Sequence, residues 1–435
     1  MLVYLLVFDI LLLAILLWIH KSDFMSPDVL VCLVYAIAII LSLYNRDIWK
    51  LDDYSVKTAC IIGISISCFA IAGVFEDRRW RIRAKHLSVP QNYEMKEIRI
   101  SYFVALMNAT ICLLALYLTI RSNGNSLYNL MNALGASSKS YTSSTYEGTS
   151  SILSILSRYT DITVYFFAFV FINNLVVKKL RGSDYLNILA VFSIILRGML
   201  CGTRMTVLHV VACMGFSFYF LYNRKKGWIK RYNVKFIFYI IFGMSALLFF
   251  FYKIRDYRGT TTNMDFVYYI SLYTSAPIKL LDLFVKDPIY SNIWGKETFR
   301  NLNNNLSIFG NNELRYERHL EFRGMGSIDL GNVYGASRRY YSDFGIVGVI
   351  ILTLILAFII CRLYYKNKYY NTNEVGFSLV VLSFLYFSVP MYIIDDVFFT
   401  EISIGFALNI FILFIMYYFL IARRKVIKCG DINIT

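Results

Sequence analysis

Residues 344–365 read FGIVGVIILTLILAFIICRLYY, with no charged side chain between Asp343 and Arg362. Wound as an α-helix at about 1.5 Å per residue, such a run crosses a hydrocarbon core about 30 Å thick. Ten further apolar runs accompany it, so eleven spans are predicted, at roughly 2–19, 28–44, 58–75, 100–120, 152–177, 185–203, 205–222, 234–253, 344–365, 376–399 and 402–422. The stretch 185–222 is one run broken by Arg197-Gly198 and Gly202-Thr203-Arg204, either a tight pair of helices or a helix with a re-entrant piece.

Composition carries the same message. Of 435 residues, 58% are apolar and 17% charged, against about 45–50% and about 25% in soluble domains. Mean hydropathy is +0.55, and the 5 prolines leave no room for long Pro-rich linkers. A soluble globule could not hide that much apolar surface. The expected class is an all-α polytopic membrane protein. The chain is apolar from Leu2 with no basic segment ahead of it, which reads as a first span rather than a signal peptide. The predicted plan is a membrane domain over 1–253, a large hydrophilic loop domain over 254–343, and three spans with a tail over 344–435.

A net charge of +16 would suggest nucleic acid in a soluble protein, but here the bases sit in short loops between apolar runs. Seven lie between Arg78 and Arg99, six between Arg224 and Lys235, and four from Arg423 to Lys428; Lys21, Lys178, Lys179, Arg181 and three between Arg362 and Lys368 join the same set. The alternate loops carry Arg46, Lys50, Lys57, Arg121 and Lys139, and none at Asp395, Asp396 and Glu401. This bias predicts a cytoplasmic C-terminus and, with an odd number of spans, an outer N-terminus. Two outer segments follow: 121–151, rich in Ser, Asn, Thr, Gly and Tyr, and 254–343, whose portion 264–285 suits a helix lying at the interface. The 8 cysteines form no CxxC and no Cys/His cluster, so neither a disulfide framework nor a bound metal is expected.

Ionisable groups near hydrocarbon cost about 2.5–3.5 kcal/mol each on insertion scales. On the predicted topology Arg158, Arg197, Arg204, Arg255, Arg258, Arg338, Arg339, Asp343, Asp395 and Asp396 all fall toward the outer side. Structural readings stand beside a functional one. Arg158 and Asp161 are three apart on a helix and could neutralise each other, Arg338 and Arg339 could snorkel to the interface, and Asp9 could be a packing polar. Arginine also suits a phosphate ligand, since the guanidinium stays charged and binds phosphate oxygens through a planar fork. A set of them at the outer boundary would hold a lipid-linked pyrophosphate and stabilise the charge that grows on it as it leaves. Glu313, Glu317, Glu321 and Asp329 are scattered, without a compact metal-ligand pattern.

Residues 331–348, GNVYGASRRYYSDFGIVG, run straight into the 344–365 span. The segment resembles the entry to the late span of oligosaccharide repeat-unit polymerases, the Wzy-type O-antigen and capsule polymerases, where an Asn- and aromatic-rich stretch leads into a DFG-x-x-G helix start. The many-span plan with one large late loop is similar too. A second pattern of that family, arginine, ten residues, then glycine, is matched by Arg204 with Gly215 and by Arg315 with Gly326.

The resemblance implies a membrane-embedded glycosyltransferase of the GT-C-like kind in the bacterial cytoplasmic membrane. It would join undecaprenyl-pyrophosphate-linked glycans at the outer leaflet without a metal or other cofactor, with a chain-length regulator and a flippase as possible partners. Arg315 would join the pyrophosphate-binding arginines. Of the four histidines only His319 falls in the large outer loop, so it is the expected base toward the acceptor hydroxyl, with Asp343, Glu317 and Glu321 as rivals and Arg204 at the leaving group. An O-antigen ligase, a lipid-linked oligosaccharide flippase and a non-catalytic export component remain open.

Overall fold

The computed structural model describes residues 1–86, 95–122, 151–201, 204–228, 252, 265–290, 293–309, 312–314, 320–326, 328–370 and 375–423. The expected span at 234–253 lies outside the described residues save for Tyr252, and most of the 121–151 segment lies outside them as well. The chain is an all-α, multi-pass membrane protein. Among the described residues, nine helices are long and apolar enough to cross a bilayer.

In chain order the helices are α1 (Leu2–Ile19), α2 (Pro27–Tyr44), α3 (Val56–His86), α4 (Tyr102–Ser122), α5 (Ser151–Val177), α6 (Gly182–Leu200) and α7 (Arg204–Lys225). Next come α8 (Phe266–Thr274), α9 (Ala276–Lys286), α10 (Arg300–Leu306) and a small antiparallel hairpin of β1 (Arg323–Met325) and β2 (Ile328–Gly331). The chain continues through α11 (Ala336–Tyr369), α12 (Phe377–Leu385), α13 (Ser388–Met391) and α14 (Ile404–Tyr417). The interrupted run 185–222 is thus two helices, α6 and α7.

One expected span is corrected. Residues 376–399 do not form a single crossing helix: α12 ends at Leu385, α13 is one short turn, and residues 394–398 are not helical. Pro390 has no amide hydrogen for the carbonyl of Tyr386, which instead takes the Val389 N–H at 3.1 Å. The carboxyls that follow need polar partners that a lipid-facing helix would not supply.

The chain divides into two compact units. The first comprises Met1–Pro90, Asp265–Asn371 and Leu385–Leu408. In it α3 lies along α11, with α1 and α2 against α3. Small residues allow the close approach: a Cβ on Gly73 of α3 would overlap the Asp28 carboxylate of α2. Tyr392 fills the middle, edge-on to Phe69 at 5.3 Å, with its hydroxyl 2.6 Å from Thr353 Oγ1 and donating to Ser65 Oγ at 3.2 Å.

The 264–285 stretch is helical, in two pieces. Ser275 and Pro277 divide it into α8 and α9, and α9 is buried against α2 and α3. Asp282 accepts from the Ser55 N–H at 2.8 Å and from Thr58 Oγ1 at 3.0 Å, while Lys279 pairs with Asp52 and with Asp282. Burial alone would push the Asp52 carboxyl up, but Lys279 and Lys286 hold it below the usual range.

The second unit comprises Gln91–Met264, Thr372–Phe384 and Asn409–Thr435. It is built on α4 against α6 and on α5 against α6 and α7. Asn174 near the end of α5 pins an extended strap: its Oδ1 accepts the Ile98 N–H at 2.8 Å, and its Nδ2 donates to the Ile98 carbonyl at 2.9 Å and to Asp184 at 2.8 Å.

Candidate functional site at the head of the long helix

The segment 331–348 packs the start of α11 against two neighbouring stretches of the first unit. Gly335 has no room for a side chain, since a Cβ there would lie 2.9 Å from the Ile393 carbonyl oxygen. The Ala336 N–H donates to the Tyr392 carbonyl at 2.8 Å, and the Tyr334 hydroxyl to the Glu321 carbonyl at 3.2 Å. Burial and the nearby Glu321 carboxylate push the Tyr334 phenol well up.

Arg338 is 1% exposed. Its Nη2 donates to both Glu321 carboxylate oxygens at 2.8 and 2.9 Å, and its Nη1 pairs with Glu297. The guanidinium also lies over the Phe284 ring at 4.2 Å and the Tyr334 ring at 4.9 Å, a stacking geometry that suits arginine better than lysine. Arg339 Nε donates to Asp395 at 2.8 Å, and its Nη1 to the Glu297 carbonyl at 3.4 Å.

The DFG-x-x-G residues have distinct structural tasks. Asp343 accepts the backbone N–H of Thr298 at 2.7 Å and of Glu297 at 3.1 Å, fixing the turn that carries Glu297. Phe344 packs against Trp294 with ring centres 5.0 Å apart. Gly345 has φ +64° and ψ −158°, a break inside α11 that a residue with a Cβ would resist. A Cβ on Gly348 would overlap Phe344 and come within 2.7 Å of the Tyr340 carbonyl oxygen.

Beyond α13, Asp396 accepts the N–H groups of Phe398 at 2.9 Å and Phe399 at 3.0 Å through one oxygen. Burial pushes its carboxyl up to about 7, against the pull of those amides and of Arg339. Burial also raises Glu401. Carboxyl groups therefore outnumber guanidiniums around Arg338 and Arg339, and both arginines are held by protein acids. An incoming pyrophosphate would have to displace a carboxylate from each.

The structure brings Arg338, Arg339 and Asp343 together in the first unit. Arg158 and Arg197 belong to the second. Arg158 is exposed, and Asp161 pairs with Arg197 rather than with the Arg158 three residues before it. His319, Arg255, Arg258 and Arg315 lie outside the described residues, as does the Arg204 side chain. Glu297 is the residue that sequence reasoning missed, because nothing near it in the chain marks it as a partner of Arg338. No group of three His, Cys, Asp or Glu residues is gathered to hold a metal ion among the described residues.

The other end of α11 carries a second buried charge network. His20 Nε2 lies 2.7 Å from Asp28 and its Nδ1 3.4 Å from Asp77, with the Tyr365 hydroxyl 3.1 Å away. Burial alone would push the imidazolium down, but the two carboxylates raise it to about 9. Lys368 pairs with Asp23 at 2.6 Å, and the Tyr364 hydroxyl donates to the same carboxylate at 2.8 Å. These bonds fasten the α1–α2 turn to the end of α11.

The fold defines the class, a multi-pass all-α membrane protein. No family model, curated protein or solved structure matches the chain.

Proposed function

We propose that the protein is a membrane-embedded polymerase that joins lipid-linked oligosaccharide repeat units into a polysaccharide at the outer face of a bacterial cytoplasmic membrane. The observation that carries this reading is the segment 331–348, which resembles the repeat-unit polymerases and gathers two buried arginines with several carboxyl groups where α11 begins. In the proposed reaction the acceptor hydroxyl attacks the anomeric carbon of the donor glycan. The bond from that carbon to the pyrophosphate oxygen breaks, and the hydroxyl proton passes to a base.

Arg338 and Arg339 exchange their carboxylate partners for pyrophosphate oxygens, and the fork geometry survives the exchange. Asp343, whose carboxylate is occupied by two amides, acts as a positioning residue. His319 is left as the proposed base, and Arg204, Arg255, Arg258 and Arg315 as further proposed pyrophosphate ligands. Purified protein incubated with lipid-linked repeat units tests the reading: a ladder of products is expected, and unchanged substrate would refute it.

A flippase for the same lipid-linked glycan is the second reading. It is favoured by buried polar side chains in the first unit, Asp9 and Tyr35 near the middle of α1 and α2 and Tyr392 just after α13. Movement of the labelled lipid across a vesicle bilayer without new glycosidic bonds would select it.

A further inference from the structure

Asp9 lies near the middle of α1, about 10 Å along the helix from Leu2 and about 15 Å from Ile19 at 1.5 Å per residue. Its side chain is fully buried, and apart from a weak contact with the Cys32 thiol neither carboxylate oxygen meets a hydrogen-bond partner among the described residues. The Cys32 thiol of α2 lies beside it, and Tyr35 is close. Asp28, Cys32 and Tyr35 recur at four and three residues, so they share one face of α2. That face makes a polar stripe in an otherwise apolar helix.

The stripe connects in both directions within the first unit. At one end Asp28 bonds His20, which faces Asp77 and Tyr365. At the other, Tyr35 lies beside Ser337 and 6.5 Å from the Tyr392 ring, whose hydroxyl reaches Thr353 and Ser65. On α3, Gly63 lies against Leu5 and Phe8 of α1 and offers no charge. Among the described residues no cation pairs with this carboxylate, and an uncompensated buried charge is far more costly than a neutral acid. A leucine would fill the same place without that cost.

We propose that Asp9 is a proton-binding site inside the bilayer, exchanging its proton with the His20–Asp28 network along the polar face of α2. The site stands independently of the polymerase reading.

A lipophilic carbodiimide tests occupancy in the wild-type, full-length protein in membranes. The acid's oxygen adds to the central carbon of dicyclohexylcarbodiimide while its proton passes to a nitrogen; the acyl group then migrates to nitrogen, leaving a stable acylurea that retains the whole reagent. Peptide mass spectrometry should find the adduct on Asp9 with this reagent and not with a water-soluble carbodiimide. No adduct on Asp9 would overturn the proposal. Protection by sodium chloride but not by choline chloride would also overturn it, by making a metal cation the occupant. Exchange is read by infrared spectroscopy. The wild-type minus Asp9→Asn difference should contain a protonated carboxyl band that shifts within minutes in heavy water. A band that does not shift would mean a sealed acid with no path to the network. Should the Asn variant fail to fold, Asp9→Glu is expected to keep the band at a displaced frequency, and its absence there would count against the site.

Discussion

Asp343 and Thr298 are joined by a 2.7 Å hydrogen bond from the Thr298 backbone N–H to the Asp343 carboxylate. Through it the head of α11 sets the position of Glu297 and hence of Arg338. Asp343→Asn keeps the shape of the side chain but removes the charge that two amides share. It should destabilise the protein by about 1–3 kcal/mol, seen as a lower melting temperature in detergent. Gly348→Ala, which crowds Phe344 and the Tyr340 carbonyl, should cost about 1–3 kcal/mol through overpacking. Two unchanged melting temperatures would remove the motif from the packing of this end.

Arg338 makes a sharper case. Removing one partner of a buried ion pair costs about 3–5 kcal/mol because the other charge is left uncompensated. Arg338→Ala should therefore lower membrane abundance as well as activity. Arg338→Lys, without the fork or the stacking over Phe284 and Tyr334, should recover little of either. Full recovery by lysine would reduce the residue to a point charge.

His20 gives a pH signature. Its imidazolium is raised to about 9 in the fold from an ordinary value near 6.5. The stability it contributes is complete below about 6.5 and is lost as the pH rises through about 9. Melting temperature followed from pH 6 to pH 10 should fall over that window, and His20→Gln should flatten this part of the profile. An identical profile in the variant would contradict the charged network.

Asp396 acts in the opposite sense. Its carboxyl is raised to about 7 in the fold, while in the unfolded chain it titrates near 3.9. Between those values the folded state holds the extra proton, so stability falls as the pH climbs from about 4 to about 7. Asp396→Asn should match wild type near pH 4 and be the more stable of the two at pH 8. A variant less stable at pH 8 would mean that the ionised form is the favoured one.

Orientation is tested by single-cysteine labelling in a cysteine-free background. The bias of basic residues among the loops predicts a cytoplasmic Lys226, so a cysteine there should resist an impermeant reagent in intact spheroplasts. Labelling at that position would invert the topology.

The helices were legible because a run such as 344–365 must find either lipid or a large apolar core, and a chain of this composition has too little polar surface for the latter. The break at 376–399 was harder to see, since Pro390 is surrounded by residues as apolar as those of a true span. Arg338 and Arg339 could be singled out from sequence because charges beside hydrocarbon are expensive. Their partners Glu297, Glu321 and Asp395 lie between 17 and 56 residues away in the chain, and no spacing rule links them. The same holds for His20, which looks like an ordinary loop histidine until Asp28 and Asp77 close around it. The pairing of Arg158 with Asp161 illustrates the reverse error: helical spacing permits it, but Arg197 on a neighbouring helix takes the carboxylate instead.

The central claim is glycan polymerisation, and one measurement addresses it most directly. Purified protein in nanodiscs is given radiolabelled lipid-linked repeat units, with and without excess EDTA, and the products are resolved by size. The account predicts a ladder of lipid-linked polymers that persists in EDTA. A single unreacted band in both lanes would contradict the polymerase reading, and a ladder lost in EDTA and restored by magnesium would contradict the arginine-based mechanism.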